Sequence, residues 1–282
     1  MKGREGAAGS ARTVAREPLL MPAPVVVKIG GRALESAGAA RELAAGIAAL
    51  RQPVVIVHGG GAEVTEWCAR LGHAPRFVDG LRVTDKATIE VVAAVLAGLA
   101  NKRLVAALRA AGVDAVGLSA LDGGLVEARL HPEAGRLGEV ASVAGVDPAL
   151  LETLLSAGRV PVLSSLVALG ERLLNLNADD LAAALAPALG ANELVLISDT
   201  PGVRLADGYV ARLDRAELDA ALVDPAVGGG MKPKLGAARR ALEAGVARVH
   251  IAAWAGATTL TTLLSAHPPG TTLTARTEAL HG

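Results

Sequence analysis

The sequence predicts an α/β fold in which a mainly parallel sheet is covered by helices on both faces. Three observations predict it. From Val25 onward, short β-branched runs alternate with stretches rich in Ala and Leu. The strand-like runs are apolar throughout instead of alternating with polar residues, which is the pattern of strands buried on both sides. Glycine clusters follow several of these runs, where a strand must turn tightly into a helix.

Taken in order, Val25–Ile29 reads as the first strand, 37–50 as a helix and 54–57 as a second strand ending in His58-Gly59-Gly60-Gly61. A helix over 62–71 follows, then a long one over 85–110, interrupted or bent near Gly98, and a strand over 113–118. Residues 117–129, with Asp122-Gly123-Gly124 at their middle, read as a hairpin. Asp147-Pro148 is a helix start for 149–157, since an N-cap acid followed by proline suits a first turn. Val160–Ser164 is a strand, Arg172–Leu176 an extended piece and 179–189 a helix. After Gly190 the pattern restarts with a strand at Glu193–Ser198, a turn over 199–202 and a helix around Glu217. A Gly228-Gly229-Gly230 loop opens a helix over 231–244, and strands follow over 246–252 and at Thr271–Thr274. The restart divides the chain into lobes of 25–190 and 191–282 sharing one sheet. The first 24 residues lack periodicity and read as a disordered tail without an apolar core for a secretory signal.

Composition excludes several functions. The chain has 282 residues, with 28 basic against 28 acidic side chains. Zero net charge gives no basic face for nucleic acid or anionic membrane. Although 51% of residues are hydrophobic, the apolar runs around 91–100 and 181–189 are short and flanked by polar residues, so no membrane span is expected. Trp67, Trp254, Tyr209 and Phe77 are all the aromatics, too few for base-stacking platforms. Cys68, the one cysteine, excludes a disulfide framework and reads as a buried structural thiol in a disulfide-free, cytoplasmic protein. The six histidines show no metal-ligand spacing.

The 33 glycines carry the functional signal. Gly30-Gly31 follows the first strand, Gly59 to Gly61 the second, and Gly228 to Gly230 precedes a helix. In open parallel sheets ligands bind beyond the carboxyl ends of strands, and bare backbone N–H groups at helix starts suit anions. A tight turn needs glycine for geometry alone, but three clusters, two beside lysines, favour a phosphate-bearing ligand. Lys28 interrupts an otherwise apolar strand two residues before Gly30, a position that suits a buried stem with its ammonium at a site. Lys234 lies one turn into the helix after the third cluster, while Lys232 suits a solvated face. Neither a GxxxxGK[ST] loop, nor a GxGxxG fingerprint with its acidic partner, nor a kinase HRD/DFG pair is present.

Five motifs occur in order: Val25-Val26-Val27-Lys28-Ile29-Gly30-Gly31, His58-Gly59-Gly60-Gly61, Gly80-Leu81-Arg82-Val83-Thr84-Asp85, Asn175-Leu176-Asn177-Ala178-Asp179 and Gly229-Gly230-Met231-Lys232-Pro233-Lys234. Together they resemble the amino-acid kinase family, over about residues 25–275. The second and first motifs alone mark the wider family; the third and fourth are more specific and resemble its branch that phosphorylates N-acetyl-L-glutamate.

The resemblance implies a three-layer αβα sandwich with an N-terminal acyl-amino-acid lobe and a C-terminal ATP lobe. It implies phosphorylation of the side-chain carboxylate of N-acetyl-L-glutamate by ATP, in arginine biosynthesis. Lys28 and Lys234 match the lysines that neutralise the phosphoryl group in flight, and Asp179 the carboxylate that orients both. Gly30, Gly31, Gly60 and Gly61 match backbone donors, Arg82 the grip on the substrate carboxylate and Asn175 an amide contact. Asp199, Thr200, Pro201, Gly202, Val203, Arg204, Ala226, Val227 and Gly228 match the nucleotide-side segments. Mg²⁺ is expected through the ATP phosphates, with no protein ligand.

Two residues depart from the family pattern. Asp79 stands where Asn is common, an extra charge that could tune substrate choice, and Lys232 stands where an aliphatic residue is usual. Lys232, with 71–77 and 117–119, resembles kinases of carrier-linked 2-aminoadipate, the alternative substrate beside N-succinylglutamate. A non-catalytic nucleotide or amino-acid sensor would lack Lys28, Asp179 or Lys234, and all three are present. The tail carries no helical pattern for interlacing subunits, so an arginine-insensitive homodimer is expected.

Overall fold

The computed structural model describes residues 22–30 and 38–275. Most of the tail expectation (1–21) and Gly31 lie outside the described residues. Strand β1 (Val25–Ile29) is buried at every position and is followed by α1 (Ala39–Ala48), β2 (Val54–His58) and α2 (Gly61–Arg70). A small ribbon, β3 (Phe77–Val78) and β4 (Leu81–Arg82), leads to α3 (Lys86–Val92). A π-helical segment, Ala93–Ala100, joins α3 without a break to α4 (Asn101–Ala110). Next come β5 (Ala115–Ser119), β6 (Val126–Leu130), α5 (Ala134–Leu137), β7 (Val140–Val146) and α6 (Ala149–Ser156). Then β8 (Val160–Ser164), β9 (Leu166–Leu169) and β10 (Arg172–Leu176) precede α7 (Ala178–Ala188). The last third holds β11 (Glu193–Ser198), the ribbon β12 (Val203–Leu205) and β13 (Gly208–Val210), then β14 (Arg212–Leu213) and α8 (Arg215–Val223). It ends with α9 (Met231–Glu243), β15 (Arg248–Ala253), α10 (Thr259–Leu263) and β16 (Thr271–Thr274).

Eight strands form the main sheet in the order β14-β16-β15-β11-β1-β2-β8-β5, parallel except where β16 runs against β15. Period-two alternation assigns its faces. Val26, Val55, Leu194 and Leu196 pack with Leu181 and Leu185 of α7 and Leu235 and Ala238 of α9. Val25, Val27 and Ile56 pack on the other face with Leu43 of α1, Leu108 of α4 and Leu260 of α10. The sheet is therefore the middle of three layers. Strands from the two halves of the chain meet at β1 and β11, where the winding reverses direction. That switch point is where an open sheet offers a crevice.

Some expectations are corrected. Residues 117–129 do not form a hairpin: β5 stays in the main sheet beside β8, whereas β6 pairs with β7 in a second sheet of order β6-β7-β10-β9. The Asp122 carboxylate accepts from Ser119 N–H at 2.7 Å and from its hydroxyl at 2.9 Å, and this turn redirects the chain between sheets. Strands β7 and β9 escape the sequence pattern because β7 is built of small, half-exposed residues and β9 follows β8 directly.

The interruption expected near Gly98 takes the form of the π-helical segment Ala93–Ala100, with no break in the chain of helical turns. The helix over 86–110 is continuous, and by length and composition it is apolar enough to cross a membrane. Its apolar side chains pack inside the protein: Ile89, Val92 and Leu96 against Val64 and Leu166, and Leu104 and Leu108 against the sheet.

Candidate active site

Lys28 shares the face of β1 with Val26, so its side chain passes under the start of α7. There Asp179, at the second position of the helix, receives it at 3.0 Å. Lys234, in the first turn of α9, donates to both oxygens of the same carboxylate at 3.0 and 3.1 Å. A lysine at a helix N-terminus opposes the macrodipole, whereas an aspartate there is favoured; Asp179 supplies the compensation for both lysines. All three side chains are buried. Burial pushes the Asp179 carboxyl up, but the two ammonium groups more than offset it and hold it below the usual carboxylate range. Burial moves Lys234 further than its aspartate partner restores, leaving it pushed down to about 8. Two cations share one anion, so the cluster holds spare positive charge.

Asp179 is placed by Asn177, whose side-chain oxygen accepts from the N–H groups of Asp179 (2.8 Å) and Asp180 (3.2 Å) as the helix N-cap. Asp180 turns away from the lysines and pairs with Arg240.

Beside the triad lies a cavity of about 190 Å³, lined by Lys28, Gly60, Gly61, Arg82, Asn175 and Asp179 among others. Arg82 reaches it from β4. Its Nη2 donates to Gly61 O at 2.7 Å and Thr65 Oγ1 at 2.6 Å, while Phe77 stacks on the guanidinium at 4.7 Å. The buried Nη1 has no hydrogen-bond partner among the described residues. Leaving a buried charged donor unmet costs free energy, so an orphaned guanidinium edge at a cavity calls for an anion. Asn175 donates to Thr84 Oγ1 at 3.2 Å, and Thr84 in turn donates to Arg82 O at 3.1 Å, tying the amide to the arginine's backbone. Val64, Val92, Leu96 and Val140 supply an apolar wall. Among the described residues, Asp179 is the one carboxylate in the lining, and the lysines occupy it, so these residues offer the cavity cations and N–H donors but no free general base.

Two of the glycines, Gly30 and Gly60, stand close against side chains of the site. A Cβ on Gly30 would stand 2.4 Å from Lys28 Nζ, and one on Gly60 would stand 2.4 Å from Leu96 Cδ2. Asp79 and Gly80 both have positive φ, 50° and 82°, and form the two-residue turn of the β3–β4 ribbon. Asp79 is absent from the cavity lining. The turn, where Asn and Asp are favoured, accounts for its residue type.

The residues expected on the nucleotide side do not line this cavity. Asp199, Thr200, Pro201 and Gly202 follow the carboxyl end of β11, next to the end of β1. Val203 is wholly buried and its N–H goes to Thr271 Oγ1 at 2.8 Å, so it holds the loop in place. Arg204 is exposed on β12, Ala226 is exposed, Val227 is buried in the core, and Gly228 precedes α9. Sequence reasoning missed Thr65, Thr84, Asn177 and Phe77. Only Asn177 carried a local signal, an amide residue just before a helix start.

Comparison with known proteins follows the same lines. The Amino acid kinase family model matches residues 23–253. Acetylglutamate kinase of Roseiflexus castenholzii is 42% identical over 241 residues, covering 84% of this chain and 90% of that one. Acetylglutamate kinase of Methanopyrus kandleri is 45% identical over 232 residues, covering 78% and 91%. Among solved structures, N-acetylglutamate synthase of Neisseria gonorrhoeae, complexed with coenzyme A and N-acetyl-glutamate, matches with a TM-score of 0.78 and 27% identity. The match covers 91% of this chain and 60% of that chain. Carbamate kinase of Giardia lamblia, with a TM-score of 0.66 at 15% identity over 90% and 98%, shares the fold.

Proposed function

Because the chain belongs to the amino-acid kinase family, we propose that it transfers the γ-phosphoryl group of ATP to the side-chain carboxylate of N-acetyl-L-glutamate. The products are ADP and N-acetyl-L-glutamyl 5-phosphate, in arginine biosynthesis. The observation that carries this reading is the pair of buried lysines on one aspartate beside a small cavity whose arginine has an unmet donor.

The acceptor is already ionised at neutral pH, with a reference pKa of about 4.3, so a site without a free base suffices. What remains is to hold two anions together and neutralise the transferring group. Arg82 binds the α-carboxylate end, Asn175 contacts the acyl amino acid, and the N–H groups of Gly60 and Gly61 receive the reacting carboxylate. Lys28 and Lys234 neutralise the phosphoryl group, and Asp179 aims them. Gly30 and Gly31 supply donors to the phosphates; the segments Asp199 to Arg204 and Ala226 to Gly228 hold the nucleotide. The acyl amino acid belongs to residues 25–190 and ATP to 191–282. Mg²⁺ enters this reading bound to the ATP phosphates and water, without a protein ligand. We place the enzyme in the cytoplasm as a homodimer; the unpaired edge of β5 in the main sheet supports a second copy.

The test is ADP release with hydroxylamine trapping of the acyl phosphate, on N-acetylglutamate, N-succinylglutamate, free glutamate and N-acetyl-aminoadipate. N-acetylglutamate is expected to give the highest kcat/KM. Inactivity on all four would sink the reading, and a preference for the aminoadipate compound would reassign the substrate.

A further inference from the structure

We propose that Asn101, remote from the substrate, is a positioning residue that fixes the tautomer of His58 and through it aims the Gly60 N–H at the acceptor carboxylate. This rests on the placement of that carboxylate at Gly60 and Gly61 given above.

Asn101 is wholly buried where the π-helical segment passes into α4. Its Nδ2 lies 2.9 Å from Val162 O, 3.2 Å from Leu118 O and 3.0 Å from His58 Nε2. Its Oδ1 accepts from Lys102 Nζ at 3.0 Å. Carbonyls can only accept and an ammonium can only donate, so these neighbours settle which end of the amide is nitrogen. The amide nitrogen can only donate, its two N–H groups being shared among the three neighbours, so the His58 Nε2 that faces it must be unprotonated. The ring proton is then on Nδ1, which donates to Gly59 O at 2.9 Å. With the other tautomer, a lone pair would face that carbonyl oxygen.

The Gly59 carbonyl matters because of what lies across its peptide plane. In a planar trans peptide, C=O and N–H point in opposite directions. Holding the Gly59 carbonyl against His58 turns the Gly60 N–H to the opposite side, and Gly60 lines the cavity. The other side of Gly59 is fixed by its own N–H, which donates to Ile29 O at 3.0 Å. The first backbone bond of α2 runs from Val64 N–H to Gly60 O, so the Gly60 N–H belongs to the donors a helix leaves unclaimed. His58 is buried, and burial together with Lys102 outweighs the Gly59 bond and lowers its pKa, which favours the neutral ring this arrangement needs.

The amide has little room to move. A Cβ on Gly117 would stand 2.3 Å from Asn101 Oδ1. Gly117→Ala therefore displaces the amide from a strand that touches neither substrate nor phosphate in the proposed reading. Asn101→Leu removes the donor at nearly constant volume.

The experiment uses the full chain labelled with ¹⁵N-histidine. Long-range ¹H–¹⁵N spectra at pH 7 should show His58 protonated on Nδ1 with a free Nε2 lone pair. The opposite tautomer or a doubly protonated ring overturns the proposal without any variant. Both variants should lower kcat/KM for N-acetylglutamate, Asn101→Leu by about 10–100-fold, less than loss of an entire oxyanion donor, and leave the KM for ATP within twofold. If Asn101→Leu does not fold, Gly117→Ala decides the kinetics. An active wild type with unchanged variant kinetics overturns this inference alone, as does an equal rise in both KM values. A wild type inactive on N-acetylglutamate overturns the acceptor placement together with the proposed function, whatever the tautomer.

Discussion

Among the described residues two buried carboxylates each join two basic side chains at the main sheet, Asp179 from α7 and Glu193 within β11, and they lie at opposite ends and on opposite faces of it. At the carboxyl ends of the strands, Asp179 is shared by Lys28 and Lys234. At the amino ends, Glu193 of β11 accepts from the Arg248 guanidinium on Oε1 and from His250 Nε2 on Oε2, at 2.9 Å for the latter. His250 Nδ1 meets the Thr272 hydroxyl at 3.1 Å, which closes that network. Every ring nitrogen and both carboxylate oxygens of the second cluster are engaged within the protein. The first cluster opens on a cavity, carries an excess of positive charge and faces an arginine whose Nη1 has no partner among the described residues. A buried charge network alone does not mark a site. The difference is an electrostatic surplus exposed to a space that a ligand can fill.

Three substitutions test that contrast, and the largest effect is expected at the lysines. Lys28→Ala and Lys234→Ala should each lower kcat by about a thousandfold, the scale for losing a donor aimed at transition-state charge, with far smaller changes in the KM for N-acetylglutamate. A steady-state comparison in which only KM moves would remove their transition-state role. Glu193→Gln should do the reverse. It should cost about 1–3 kcal/mol of stability through a poorly met buried group, read as a lower midpoint in urea, with kcat within twofold of wild type. A large loss of kcat at unchanged stability would make the amino-end cluster functional.

An intermediate effect belongs to Gly80, where the β3–β4 ribbon touches the loop before α9. A Cβ there would lie 3.0 Å from Gly229 O and 3.2 Å from Pro233 Cγ, at a φ of 82°. Gly80→Ala should cost about 1–2 kcal/mol at a left-handed position, and should raise the KM for both substrates because it presses on both lobes. Differential scanning calorimetry and paired KM measurements check this. Unchanged values for both would show that the ribbon and the loop are free to separate.

The two clusters also differ in how legible they were. Lys28 announced itself as a break in an apolar strand, and the glycines as bare backbone after strands, because strand burial and turn geometry are local rules. The chain order of the motifs then placed Asp179 and Lys234 by resemblance. Partners across long separations were invisible: Asn101 meets His58 from 43 residues away, and Glu193 meets His250 from 57. Nothing local to either residue encodes those meetings; they follow from which strands become neighbours. The false hairpin at 117–129 has the same cause. Two glycines can turn a chain, but whether the outgoing strand returns to its own sheet depends on the edge available to it. Strand β6 found β7, a strand of small residues that the pattern had not revealed.

The last expected effect is on pH dependence, and it separates the clusters most sharply. Burial brings Lys234 from its usual 10.5 down to about 8 in the unliganded protein. In the proposed mechanism the protonated lysine is the active form, so kcat/KM, which reports the free enzyme, should fall about tenfold per pH unit above 8. Bound phosphates favour the charged form, so the corresponding limb in kcat should lie at higher pH. For stability the sign is opposite. Between pH 8 and 10.5 the unfolded chain holds this proton and the folded one releases it, so wild type should gain stability relative to Lys234→Met as pH rises through that window. Glu193→Gln should keep the same basic limb as wild type, because its cluster does not reach the site. A kcat/KM profile flat to pH 10, or a limb that moves in Glu193→Gln, would remove Lys234 as its source.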